Sequence, residues 1–396
     1  MSMTATETEV LVAEREAAEL AALLERIAEL RPLIAGNAAE GEENRRVSEE
    51  SIRALADAGA FKVSLPTRYG GYGLGHRAAL DVGREVARAD GGTAWVVSLI
   101  NSGAWYTRVF PIEAQDDIFA DDPDARVSVV ITPTGTARKV DGGYRVSGKW
   151  FYNSGAWHSS WALGAVLLED ENGESLGEGQ FLIPATDYRI EDVWYVAGMR
   201  SSGSNCLVVE DAFVPEHRLR RVPDVDPDSD QPYRAVAVPL ALLGPQLGLG
   251  RAVFDLVMEK TPHKPIAYTS IERRSDWTAY RLDIAKAAML LDTADLFAAR
   301  AADDMDSIDR LGRPLDRCTR SRVRADIGWA VDHVTEAISL LLNAAGSGVF
   351  AEVNPIQRFW RDQAIVARHG YVSPPLAYEI YGTALLNAEE TTATIL

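Results

Sequence analysis

Two aromatic stretches and one late histidine hold the residues best suited to chemistry in this chain of 396 residues. The first stretch is Val146-Ser-Gly-Lys-Trp-Phe-Tyr-Asn-Ser-Gly-Ala-Trp-His-Ser-Ser-Trp161. Rigid, amphipathic Trp and Tyr side chains alternate there with hydroxyls, an amide and glycines. Such a run suits the wall of a pocket that receives a flat ring with polar edges. The second stretch, Trp194-Tyr-Val-Ala-Gly-Met-Arg-Ser-Ser-Gly-Ser-Asn205, is a Gly/Ser turn introduced by a tryptophan. The histidine is His369, in Arg361-Asp-Gln-Ala-Ile-Val-Ala-Arg-His-Gly-Tyr371. An imidazole near its ordinary pKa can exchange a proton at neutral pH. The spacing places His369 two turns beyond Arg361-Asp362 on one helix, beside a glycine that permits close approach.

Other apparent motifs fail on their own chemistry. Gly143-Tyr-Arg-Val-Ser-Gly-Lys149 has phosphate-loop spacing, but Trp150 stands where a Ser or Thr is required. Gly71-Tyr-Gly-Leu-Gly75 is not a dinucleotide fingerprint, and no GxSxG elbow is present. No two of the six histidines have metal-ligand spacing, so no metal is expected. Cys206 and Cys318 are the only cysteines, which rules out a disulfide framework or a CxxC knuckle and suits a reducing cytoplasm.

The elements that must position these residues follow from periodicity. Leu20, Leu23, Leu24, Ile27, Leu30 and Leu33 form one stripe, predicting a helix over 13–34. Ser48 is a helix N-cap, and helix resumes over 76–110, buried where 94–100 is apolar all round. Near residue 125 the character changes to short β-rich runs at 127–131, 137–140, 144–152, 162–168, 180–184 and 205–215. These predict an antiparallel barrel or sandwich. Four helical segments, 236–260, 270–304, 314–346 and 355–390, predict a four-helix bundle. The chain is therefore α+β, with an N-terminal helical domain (1–122), a β domain (123–221), an acidic Pro-rich linker (222–234) and a bundle (235–396). A net charge of −18 disfavours nucleic acid and anionic membrane surfaces. The acidic N-terminus lacks the apolar core of a signal peptide, and no uncharged apolar run reaches 18 residues.

The α–β–α order resembles the acyl-CoA dehydrogenase fold, and the resemblance covers nearly the whole chain. Pro66-Thr-Arg-Tyr-Gly-Gly-Tyr-Gly, Ser147-Gly-Lys-Trp150, Gly203-Ser-Asn-Cys-Leu-Val-Val-Glu-Asp-Ala-Phe-Val-Pro215 and Gln357-Arg-Phe-Trp-Arg-Asp362 look like its ordered motifs. The dehydrogenases carry a basic Glu soon after that Arg-Asp pair. Here His369 and Gly370 occupy the place, and Glu379 falls some ten residues too late. The sequence is closer to the flavin-dependent monooxygenase branch, which it resembles in Trp150 to Gly155, in Gly198 to Ser204 and in the late histidine.

That resemblance implies a two-component enzyme. It would take FMNH2 or FADH2 from a separate NAD(P)H:flavin reductase, form a flavin C4a-hydroperoxide with O2, and hydroxylate a small aromatic or heteroaromatic molecule. The alternatives are N- or S-oxygenation, or acyl-thioester dehydrogenation. Ser154 matches the position facing the flavin N5. Trp150, Tyr152, Asn153 and Trp194 would frame the flavin, and Ser202, Gly203 and Ser204 would bind its polar edge or phosphate. Lys264, Arg273 and Arg274 are the candidate phosphate cations. Trp95, Ile100, Asn101, Trp105 and Trp157 would read the substrate, and His369 would deprotonate or hold it. A homotetramer follows from the same resemblance.

Overall fold

The computed structural model describes residues 5–222, 234–311 and 315–388. Most of the expected linker, 223–233, lies outside the described residues. The helix expected over 13–34 is two helices, α1 (Ala5–Glu29) and α2 (Arg31–Asn44). Pro32 explains the break: it lacks an N–H and is tolerated only in a first turn, where it sits in α2. Ser48 caps α3 (Glu49–Ala58) by accepting the Ser51 N–H at 3.1 Å. The expected 76–110 helix also divides, into α4 (His76–Ala87) and α5 (Gly91–Thr107). Asp90 turns the chain into an extended conformation and caps α5 through the Thr93 N–H. Every residue of α5 is buried, as its all-round apolar composition requires. A short α6 (Ile112–Phe119) completes the N-terminal helices.

Seven strands follow: β1 (Val127–Val140), β2 (Gly143–Asn153), β3 (Trp161–Glu169), β4 (Ser175–Pro184), β5 (Arg189–Glu191), β6 (Asn205–Pro215) and β7 (Leu219–Arg221). They form one sheet in the order β5-β6-β2-β1-β3-β4-β7. The runs at 127–131 and 137–140 are a single strand carrying register shifts. The expected all-antiparallel pattern holds for every pair except β1–β3, which is parallel. The hairpin at Asp141-Gly142 returns β2 along one side of β1. The turn at Ala156–His158 then carries the chain to the other side, so β3 runs with β1. One face of the sheet buries Trp150, Phe181, Leu207 and Val166 in a β core of its own.

The C-terminal helices are α7 (Arg234–Lys260), α8 (Thr278–Leu311), α9 (Arg317–Ala345), α10 (Pro355–Val366) and α11 (Pro374–Leu385). The segment Pro239–Lys260 is long and apolar enough to cross a membrane, yet it is largely buried inside the protein. The helix expected over 355–390 is interrupted. His369 is extended, and Ser373-Pro-Pro375 starts a new helix because proline neither continues a helical ladder nor lets its predecessor stay helical. His369 therefore lies in a connection and not on a helix face. Helix α5 crosses β1 at backbone contact: a Cβ on Gly103 would fall 2.0 Å from the Val127 carbonyl oxygen. That close approach brings the helix carrying Trp95 onto the end of the sheet.

Candidate active site

A cavity of about 430 Å³ opens where β1, β2, α5, the 199–204 turn and the α10–α11 connection meet. Its size falls within the range of small-molecule sites, about 300–1,000 Å³. Leu99, Val129, Ile131, Leu242 and Val366 make the walls apolar, and Tyr152 and Trp194 add aromatic surface. The rings of Tyr152 and Trp194 meet edge to face, with centroids 6.0 Å apart. Tyr152 holds a left-handed backbone (φ 66°), a conformation tyrosine rarely adopts, at the irregular end of β2.

A row of hydroxyls faces this cavity. Trp95 Nε1 donates to Ser154 Oγ at 3.1 Å. Ser154 Oγ lies 2.6 Å from Ser204 Oγ, which lies 2.7 Å from Ser202 Oγ. Ser202 Oγ donates to the Met199 carbonyl at 2.8 Å, and Trp194 Nε1 donates to the same oxygen at 2.9 Å. An apolar, aromatic-edged slot with such a row along it fits the isoalloxazine ring of a flavin, whose rim carries N–H groups that a hydroxyl oxygen can accept.

His369 lines the same cavity and touches Trp95 edge-on, centroids 5.8 Å apart, while Tyr371 stacks on its other side at 5.7 Å. Burial, and then the nearby Arg324 guanidinium, hold the His369 pKa below its ordinary 6.5, so the ring is neutral at physiological pH. Its Nδ1 accepts the Tyr371 backbone N–H at 3.3 Å. In that neutral tautomer the hydrogen is on Nε2, which leaves a donor for a bound molecule. Arg324, on α9, is buried, and its Nε has no hydrogen-bond partner. No carboxylate lies within ion-pair distance of it among the described residues. An uncompensated buried cation beside His369 and Tyr371 favours an anionic ligand there.

Met199 is held from behind by Asp362, whose Oδ1 accepts its N–H. Burial, reinforced by the neighbouring Asp90, pushes the Asp362 carboxyl up to about 7. A carboxyl raised on folding takes up a proton. Its stabilisation is complete below the unfolded value of 3.8 and is lost as pH rises through about 7. Thermal melts should therefore show wild-type stability falling between pH 5 and pH 8 by an amount on the order of a few kcal/mol. Asp362→Asn, which keeps the acceptor without the charge, should flatten that profile. A wild-type profile as flat as the variant's would contradict the raised carboxyl.

The structure brings together Trp95, Tyr152, Ser154, Trp194, Ser202, Ser204 and His369 from the sequence-derived candidates. It does not bring in the others. Trp150 faces the β core and donates to the Ala165 carbonyl at 2.7 Å. Asn153 is buried beside the site with its Oδ1 unpartnered, and Gly203 serves the turn against the Arg45 carbonyl. Trp157 lies outside, under Arg46. Ile100 packs against Gly155, and Asn101 secures the backbone of Val63, Ala60 and Val97. Trp105 packs on His76 and Tyr106. Lys264 and Arg273 are exposed in the α7–α8 connection, and Arg273 pairs with Asp276 at 3.0 Å. Among the described residues the cation that does line the cavity is Arg368, adjacent to His369 in sequence. Among the described residues no carboxylate lines the cavity, and Glu379 is exposed on α11. An acyl-thioester dehydrogenase would need such a base.

Family profiles described as "Acyl-CoA dehydrogenase, N-terminal domain" and "Acyl-CoA dehydrogenase, C-terminal domain" match residues 16–117 and 240–374. The "flavin-dependent monooxygenase, oxygenase subunit HsaA" of Rhodococcus jostii is 32% identical over 372 residues, spanning 91% of this chain and 97% of its own. The "FADH(2)-dependent resorcinol hydroxylase, oxygenase component" of a Rhizobium species is 29% identical over 389 residues, spanning 93% and 94%. The solved structure of XiaF from a Streptomyces species, in complex with FADH2 and glycerol, superposes with a TM-score of 0.90. It is 32% identical and covers 98% of this chain and 99% of that one.

Proposed function

The chain belongs to the acyl-CoA dehydrogenase-fold family of flavin-dependent monooxygenase oxygenase subunits, and from that premise we propose that it hydroxylates a small phenolic substrate held between Ser154 and His369. Bound reduced flavin, FADH2 or FMNH2 delivered by a separate reductase, would supply the two electrons that activate O2. The protein's part is orientation and dryness. Ser154, Ser202 and Ser204 hold the ring's polar rim, Tyr152 and Trp194 flank it, and the aliphatic walls exclude water.

The single observation that carries the substrate class is the neutral His369 ring beside the unpaired, buried Arg324. A phenol entering there meets the His369 N–H donor, with the buried Arg324 charge close behind His369 and Tyr371. Both favour the phenolate, whose ring carbon is the better nucleophile toward activated oxygen. His369 is thus the holder of an oxyanion, and the phenol's proton leaves for solvent. This pairing favours ring hydroxylation over N- or S-oxygenation. Arg368, at the cavity wall, is the cation available to a phosphate or an acidic substituent. A homotetramer working in a reducing cytoplasm is part of the same proposal; the two free cysteines suit it.

The test mixes the protein with photoreduced FAD or FMN without oxygen, follows binding by fluorescence, then admits O2 with a panel of phenols, indoles, thioethers and acyl-CoA. Mass gain of one oxygen on a phenol is the expected result. Failure to bind reduced flavin, or oxygen transfer confined to nitrogen or sulfur substrates, would overturn it.

A further inference from the structure

The four short contacts in the hydroxyl row can be satisfied in only one direction. The indole N–H of Trp95 can only donate, and the Met199 carbonyl can only accept. Between them stand three hydroxyls with one hydrogen each and three remaining contacts, at 2.6, 2.7 and 2.8 Å. If any hydroxyl turned its hydrogen elsewhere, one contact would set two oxygens together with no proton between them. The order is therefore Trp95 to Ser154 to Ser204 to Ser202 to Met199. The alternative acceptor for Ser154, the Tyr152 carbonyl, is far weaker at 3.5 Å. The far end is doubly fixed: Met199 O also receives the Trp194 indole, and its own N–H is held by Asp362.

We infer that this fixed polarity makes the serine row an acceptor-only surface, so that the cavity distinguishes a reduced flavin from an oxidised one through Ser204 and Ser202. The inference rests on the flavin reading above. Each serine oxygen has spent its hydrogen along the row and keeps one lone pair for the cavity, where all three residues are exposed to a ligand. Two-electron reduction of a flavin adds a hydrogen at N5, where the oxidised ring has a lone pair. With N5 set against Ser154, the position that the family resemblance implies, a reduced ring brings a donor to the Ser154 acceptor. An oxidised ring opposes acceptor to acceptor and must either break the row or leave its own nitrogen unpaired. Ser204 and Ser202 act as positioning residues, because they set which way the Ser154 hydrogen points.

The experiment measures anaerobic dissociation constants for photoreduced and oxidised FAD and FMN, together with the midpoint potential of the bound flavin against free flavin. Wild type should bind the reduced form roughly tenfold to a hundredfold more tightly, the scale of one mispaired hydrogen-bonding group, with a correspondingly raised potential. Ser204→Ala frees the Ser154 hydroxyl to rotate and donate, so the ratio should collapse toward unity through tighter oxidised binding. Ser204→Thr, which keeps a hydroxyl, should restore it. Ser202→Ala cuts the next link and should also lower the ratio, which provides a readout if Ser204→Ala does not fold. Equal affinity for both redox forms in wild type, or an unchanged ratio in a folded serine-to-alanine variant, would overturn the polarity argument while leaving the flavin site standing. Binding of neither form would instead remove the flavin reading itself.

Discussion

His369→Ala is expected to bind reduced flavin as wild type does and to consume O2, but to release the reducing equivalents as hydrogen peroxide. Product formation should fall by roughly 10²–10³, the range seen when one oxyanion donor is removed. The reason lies in the division of the cavity. The serine row that holds the ring is fixed by Trp95 and Met199, whereas the imidazole reaches that row only through an edge contact with Trp95. His369→Gln separates two roles. Glutamine keeps an N–H donor but cannot take a proton. Partial recovery of product in His369→Gln supports the donor that the Tyr371 contact dictates. A glutamine variant as inactive as the alanine one, with activity lost as pH falls below the ordinary imidazole range, would make His369 a base. Phenols that are already acidic should suffer least from either substitution.

Much of this site is legible in the sequence because polar side chains among aromatics stand out. Ser154, Ser204, Trp194 and His369 all carry that signal. The tryptophans show its limit. Trp150 and Trp194 sit in equally aromatic company, yet one faces the β core and the other the cavity. What decides is the irregular register between Trp150 and Asn153, which turns Tyr152 toward the cavity with a positive φ, and nothing local encodes it. The break at His369 was within reach, since Ser373-Pro-Pro375 is incompatible with one continuous helix. The parallel β1–β3 pairing was not, because it depends on which side of β1 the chain emerges after the 156–158 turn. Arg324 is hidden for a different reason. It follows Arg317, Arg320 and Arg322 in a strongly basic helix start, where a solvated face is the ordinary expectation. Only the packing of α9 shows that this arginine is buried, its Nε unpartnered and no carboxylate paired with it among the described residues.

Trp95 joins the two halves of the cavity, and its substitutions should separate packing from hydrogen bonding. The side chain is 5% exposed on a helix with no solvent face. Trp95→Ala should cost about 3–5 kcal/mol in chemical denaturation, because the surrounding helices and sheet cannot close over the space an indole leaves. Loss of that edge should also release His369 and blunt product formation. Trp95→Phe keeps most of the volume and an aromatic edge for the imidazole, and removes only the N–H. Its cost should be about 1 kcal/mol, since Ser154 still has Ser204 as a partner. The phenylalanine variant should also keep its preference for reduced flavin. Removing the first donor does not reverse the row: the Ser154 hydrogen still goes to Ser204, and the Met199 carbonyl still anchors the far end. If Trp95→Phe were as unstable as Trp95→Ala, the indole hydrogen bond rather than the ring's bulk would be holding α5 to the sheet, and the serine row would be a structural brace before it is a ligand surface.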